Sequence, residues 1–129
     1  MPDTAPASPA PSTLLGPDGR QRCAWVGDTA ELRVYHDDEW GVPVRGDHAL
    51  FERIALEGFQ SGLSWLTILR RREGFRRALA GFEPSAVAGF DERDVARRLD
   101  DSAIIRNRRK IEATIANARV LVAWQAEHP

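Results

Sequence analysis

A chain of 129 residues with 43% apolar and 29% charged side chains has room for one domain with a core, and that balance excludes a wholly disordered or fibrous protein. A formal net charge of −1 excludes a strongly basic surface by composition alone, and no run approaches the roughly 20 apolar residues of a membrane helix. The single cysteine, Cys23, excludes an internal disulfide and, with no basic-then-apolar leader pattern, implies a reducing, cytoplasmic setting.

Residues 1–19 hold five of the eight prolines and show neither helical nor alternating period, so they are expected to form a disordered lead, with one helical domain over 20–129. From Cys23 to Val44 the sequence is aromatic-rich and irregular. Pro43 and Gly46 close it before Asp47, the expected cap of a helix over 47–58. On a helical wheel Leu50, Phe51, Ile54, Ala55 and Gly58 share one arc, and Glu57 falls beside Leu50 as the carboxylate that breaks the apolar pattern. After GFQSG, Ser64 is a candidate cap for a second helix running to Leu79 through Trp65, Ile68, Leu69 and Phe75. FEPSAVAGF reads as a short helical turn. Asp91 caps a helix to about Leu99, and the last helix, 107–126, places Ile111, Ile115, Ala118 and Val122 on one face. No segment reads as a strand. The class is all-α, five or so helices. The sequence stops on an amphipathic helix with no closing element, so the fold is expected to be incomplete as given.

Chemistry has few candidates. Glu57 among apolar neighbours needs a hydrogen bond, a countercharge or a proton, and both a structural ion pair with an arginine and a functional role remain open. Trp65 and Tyr35 are aromatic plates suited to a flat or cationic ring, although a tryptophan at the start of an amphipathic helix is commonly core. Cys23 and His36 are either half of a tetrahedral zinc site or a buried thiol and a loop imidazole. Two basic clusters, Arg70–Arg77 and Arg106–Lys110, are read as solvated faces balanced by acids, with local phosphate contacts the other reading. Phosphate-loop, GxSxG and HExxH patterns are absent from the sequence.

The strings RCAWVG (22–27), YHDDEWGVP (35–43), LFERIALEGFQSGLSWLTILRRREGFRRAL (50–79) and IIRNRRKIEATIANAR (104–119) resemble, in order, the DNA-3-methyladenine glycosylase I family. The resemblance spans about residues 22–124. It implies an all-α fold of the helix-hairpin-helix DNA glycosylase superfamily. The implied activity is hydrolysis of the N-glycosidic bond of 3-methyladenine in double-stranded alkylated DNA by a monomeric base-flipping repair enzyme. Carried over residue by residue, Glu57 matches the pocket carboxylate that recognises the extruded base and serves catalysis, and Tyr35 and Trp65 match aromatics that hold the base. Cys23 and His36 match two of four structural zinc ligands. The family's hairpin and other two ligands lie further toward the C-terminus than residue 129, and Leu32 stands where relatives carry a further aromatic. His128 matches no ligand motif. The resemblance thus implies a C-terminally truncated glycosylase, and the contrasting expectation is a non-catalytic helical remnant with weak DNA or partner binding.

Overall fold

The computed structural model describes residues 10–129, and the chain falls into two compact units, Met1–Val42 and Pro43–Pro129. Of the expected disordered lead, residues 1–9 lie outside the described residues, while part of the remainder is ordered into a hairpin. Strand β1 (Thr13–Leu15) pairs antiparallel with β2 (Gln21–Cys23), Thr13 opposite Cys23 and Leu15 opposite Gln21. Three-residue strands are too short to print a two-residue alternation, and all three residues of β1 are exposed, so no apolar pattern announces them. What fixes the turn is polar: Asp18 accepts from the Arg20 backbone N–H at 3.2 Å and from Arg22 Nη1 and Nη2 at 2.8 and 2.7 Å.

A 3₁₀ turn over Ala24–Val26 follows, then α1 (Ala30–Asp38), where the sequence reading placed irregular chain. Its start carries the expected residue types, Thr29 before it and Glu31 in the first turn, and among the described residues Val26 and Tyr35 are the buried apolar side chains of this unit. The helix is short and its polar tail, HDDE, hides the period.

The second unit is all helical among the described residues: α2 (Asp47–Gln60), α3 (Trp65–Arg70), α4 (Arg72–Ala78), α5 (Pro84–Ala88), α6 (Glu92–Leu99) and α7 (Arg108–Glu127). The all-α class holds here. The second expected helix is broken at Arg71 (φ −103°, ψ 3°), whose backbone N–H still bonds to Ile68 while Nη1 donates to the Ser102 carbonyl at 3.0 Å. Asp91 caps α6 in a reciprocal box, accepting from the Asp94 N–H while Asp94 accepts from the Asp91 N–H. Asn107 caps α7 by accepting from the Lys110 N–H at 3.1 Å.

One core holds these helices together, centred on the fully buried Phe59, Ile68, Phe75, Leu79, Phe82 and Ile111. Phe59 and Phe75 meet with ring centroids 4.6 Å apart. Helices α2 and α7 run antiparallel, tied at one end by Lys110 to the Phe59 and Ser61 carbonyls and at the other by Gln125 to Asp47. The last helix buries Ile111, Thr114, Ile115 and Ala118 and leaves Val120 and Trp124 exposed. Ala80, Gly81 and Phe82 all have positive φ, a run that strains two L-residues; burial of the Phe82 ring against Phe51 and a 2.6 Å contact from His48 Nε2 to the Gly81 carbonyl hold it.

Candidate functional site

Glu57 sits one turn before the end of α2, on the side opposite the core. The buried stripe is Phe51, Ala55, Leu56 and Phe59; Leu50, Ile54, Glu57 and Gly58 are exposed. The core-facing arc is turned about one residue, roughly 100°, from the one the apolar pattern suggests. Leu50 and Ile54 are apolar but face solvent, and at 100° per residue Glu57 lies across the helix from the Phe51–Ala55–Phe59 stripe. The ion-pair alternative is also overturned, because Glu57 makes no side-chain hydrogen bond or ion pair among the described residues. Its carboxylate is open to a ligand.

The chain turns sharply after α2. Gly62 takes φ +81°, the Leu63 N–H bonds back to the Gln60 carbonyl at 2.6 Å, and Ser64 Oγ caps α3 by accepting from the Thr67 N–H at 3.1 Å. Trp65 is thereby the first residue of α3, half-buried and packed against the core. The turn at Gly62 thus separates Glu57, exposed near the end of α2, from Trp65 at the start of α3.

Lys110 fixes that turn, a role the residue pattern did not reveal. Its ammonium donates to the carbonyls of Phe59 (2.9 Å) and Ser61 (2.6 Å), which the end of α2 leaves without helical partners. Being the only lysine in the chain was the available signal. Beside it a cleft of about 380 Å³ runs between α2 and α7, lined by Ile54, Gly58 and Ser61 on one wall and Asn107, Lys110 and Asn117 on the other.

Tyr35, Cys23 and His36 belong to the first unit. Tyr35 is buried on α1. The His36 ring stacks on Trp40, centroids 5.6 Å apart and planes 14° from parallel, with Trp25 at 5.4 Å. Its Nδ1 lies 2.9 Å from Asp37 Oδ1. Cys23, at the end of β2, is a free, half-buried thiol. As donors, a thiolate and an imidazole suit zinc, yet no group of three or more His, Cys, Asp or Glu able to hold a metal occurs among the described residues. By donor type they would supply two of four zinc ligands, and two further donors would have to come from elsewhere.

The basic clusters divide. Arg76 pairs with Glu52 and Glu73, and Arg108 with Glu92 and Glu112, as solvated faces should. Arg77, Arg106 and Arg109 make no ion pair among the described residues.

With this geometry in place, the likeness to solved structures sets the class. The chain superposes on a crystal structure of 3-methyladenine DNA glycosylase I with a TM-score of 0.81 at 47% identity, covering 83% of this chain and 59% of that one. A Staphylococcus aureus 3-methyladenine DNA glycosylase I, solved for the structural basis of 3-methyladenine recognition, aligns at a TM-score of 0.79 and 35% identity, over 82% of this chain and 56% of that one. The helical DNA glycosylase fold is thus borne out.

Residues 25–129 match the methyladenine glycosylase family, and the chain belongs to it. It is 50% identical over 105 residues to DNA-3-methyladenine glycosylase 1 of Escherichia coli (strain K12) and 42% identical over 104 residues to the DNA-3-methyladenine glycosylase of Haemophilus influenzae. Each match takes in 81% of this chain and 56% of the relative, so the chain spans little more than half the length of these curated relatives.

Proposed function

We propose that this protein is a monofunctional DNA glycosylase that excises 3-methyladenine from alkylated double-stranded DNA. The observation that carries the reading is Glu57, a family-matched carboxylate that faces solvent without a protein partner at the corner between α2 and α3. An acceptor of that kind suits the target. Adenine methylated at N3 carries positive charge and leaves as a neutral purine, so the C1′–N9 bond breaks readily, water oxygen adds to C1′, and the water proton passes to solvent. Selection then rests on recognition. Rotating the base out of the stack costs a few kcal/mol, and a carboxylate with aromatic faces favours the cationic base over ordinary ones.

In this reading Glu57 accepts hydrogen bonds from the extruded base and stabilises the charge that develops during cleavage, while Tyr35 and Trp65 supply the aromatic faces. Cys23 and His36 contribute two donors toward a structural zinc. Arg77, Arg106 and Arg109 are the side chains available for phosphate. The proposed enzyme acts as a monomer on DNA in the cytoplasm; no helix among the described residues is long and apolar enough to cross a membrane.

The span of 56% of the relatives' length favours a second reading, a helical remnant that binds DNA or a partner weakly and excises nothing. Release of 3-methyladenine from methylated duplex DNA separates the two. Excision by the wild-type chain that falls at least about tenfold in Glu57→Gln, a difference of about 1.4 kcal/mol in the barrier, supports the glycosylase. No release from the folded wild-type chain supports the remnant, and full excision by Glu57→Gln overturns the role of that carboxylate.

A further inference from the structure

The first unit contains a chain of polar contacts that the proposed function does not use. Arg22 is buried, with 7% of its side chain exposed, although arginine rarely is. Its guanidinium bonds two carboxylates at once: Nη1 and Nη2 to Asp18 at 2.8 and 2.7 Å, and Nε and Nη2 to Asp37 at 2.9 Å each. Asp37 in turn meets His36 Nδ1 at 2.9 Å. The order is Asp18, Arg22, Asp37, His36, running from the hairpin turn to α1.

The direction of the last contact follows from charge. The Arg22 guanidinium donates to both oxygens of Asp37, Nε to Oδ1 and Nη2 to Oδ2 at 2.9 Å each, and so pairs it as a carboxylate. Near neutral pH Asp37 is therefore an acceptor only. A hydrogen bond to it requires a proton on His36 Nδ1, which in the neutral ring leaves the lone pair on Nε2. The ring plane is set independently by stacking on Trp40 and by the Trp25 edge.

We propose that Arg22 and Asp37 are positioning residues for His36: they lock its neutral ring in the Nδ1–H form and so reserve Nε2 as the binding nitrogen. A carboxylate behind the far nitrogen of an imidazole orients the ring and raises the basicity of the nitrogen that binds. The proposal deepens the zinc part of the proposed function and rests on it for the use made of Nε2, but the tautomer itself exists without metal.

The test is therefore a ¹⁵N–¹H correlation of the imidazole nitrogens in the metal-free chain at about pH 8, above the ordinary histidine range. The expected spectrum of His36 has a protonated-type Nδ1 and an unprotonated-type Nε2. Asp37→Ala is expected to return the ring toward the Nε2–H form that a free histidine side chain prefers, and Arg22→Met to shift it part of the way. Should the Arg22 variant fail to fold, Asp37→Ala and the wild-type spectrum decide. A dominant Nε2–H form in the wild type, or an unchanged tautomer in Asp37→Ala, overturns the proposal. Zinc titration reads the other reading separately: with zinc bound, Asp37→Ala should weaken affinity about 10- to 100-fold. A chain with the Nδ1–H form that takes up no zinc leaves the positioning role standing and removes the zinc assignment.

Discussion

Lys110 donates to the Ser61 carbonyl at 2.6 Å across the end of α2, and the same ammonium reaches the Phe59 carbonyl at 2.9 Å. A cation at a helix C-terminus meets both the unsatisfied carbonyls and the negative end of the dipole. Because the turn at Gly62 begins at these carbonyls, Lys110 also sets where α3 and Trp65 start. Lys110→Met should lower stability by about 1–3 kcal/mol, the usual range for hydrogen bonds to a charged group. Urea unfolding measures it. Hydrogen exchange at the Leu63 amide should speed up in the same variant, and a cost under about 0.5 kcal/mol would mean that water replaces the lysine.

Gly74 on α4 packs against the chain at Ala103. A Cβ there would stand 2.6 Å from the Ala103 carbonyl oxygen and 2.9 Å from its Cβ, so backbone has to move. Alanine normally gains about 0.5–1 kcal/mol over glycine inside a helix. Overpacking of about 1–3 kcal/mol outweighs that gain here. Gly74→Ala should lower Tm by several degrees, and adding Ala103→Gly should restore only part of the loss, since the carbonyl contact stays. A Tm at or above that of the wild type would show that α4 slides away from Ala103 at little cost.

Acid stability should follow the aspartates engaged in caps and ion pairs. The Asp91 backbone N–H, and then Arg97 and Arg98, hold the Asp94 carboxyl below its ordinary value. A carboxyl depressed in the folded state contributes fully above the unfolded value of about 3.9, and the contribution is lost as pH falls through the folded value. Thermal melting followed by circular dichroism should therefore be level from neutral pH to about pH 5 and decline below about pH 4. Asp94→Asn keeps an oxygen for the cap and removes the charge, so its decline should be shallower. An identical slope in wild type and variant would show that Asp94 takes no part in acid unfolding.

How much of this was legible in the sequence depends on what kind of force fixes each element. Two of the three expected caps were readable, since Ser64 and Asp91 each bond the amide expected of a cap, whereas Asp47 lies inside α2 after Gly46 and makes no capping bond. The hairpin was not, because Arg22 and two aspartates hold it, and a buried arginine between carboxylates leaves no periodic trace. The break at Arg71 was hidden for a similar reason, since Leu69, Arg72 and Phe75 continue the helical spacing across it while the tertiary bond to Ser102 redirects the chain. On α2 the face that carries Glu57 differs from the one the apolar pattern suggests. Leu50 and Ile54 look like core residues but are exposed, Ile54 on the wall of the α2–α7 cleft, so apolar type alone points to the wrong arc.

That difference in face yields a sharp contrast within one turn of α2. Glu57 faces solvent with no partner, whereas Phe59, two residues on, is fully buried against Phe75. Phe59→Ala removes a ring from a packed core and should cost about 3–5 kcal/mol. Glu57→Gln changes an exposed, unpaired group and should stay within about 0.5 kcal/mol of the wild type. Urea unfolding of the two variants checks both values. A cost above about 1 kcal/mol for Glu57→Gln would mean that the carboxylate supports the fold, because an exposed group without a partner has no such cost to pay. If the contrast holds, a loss of excision in Glu57→Gln is a loss of chemistry at the carboxylate and not of the helix that carries it.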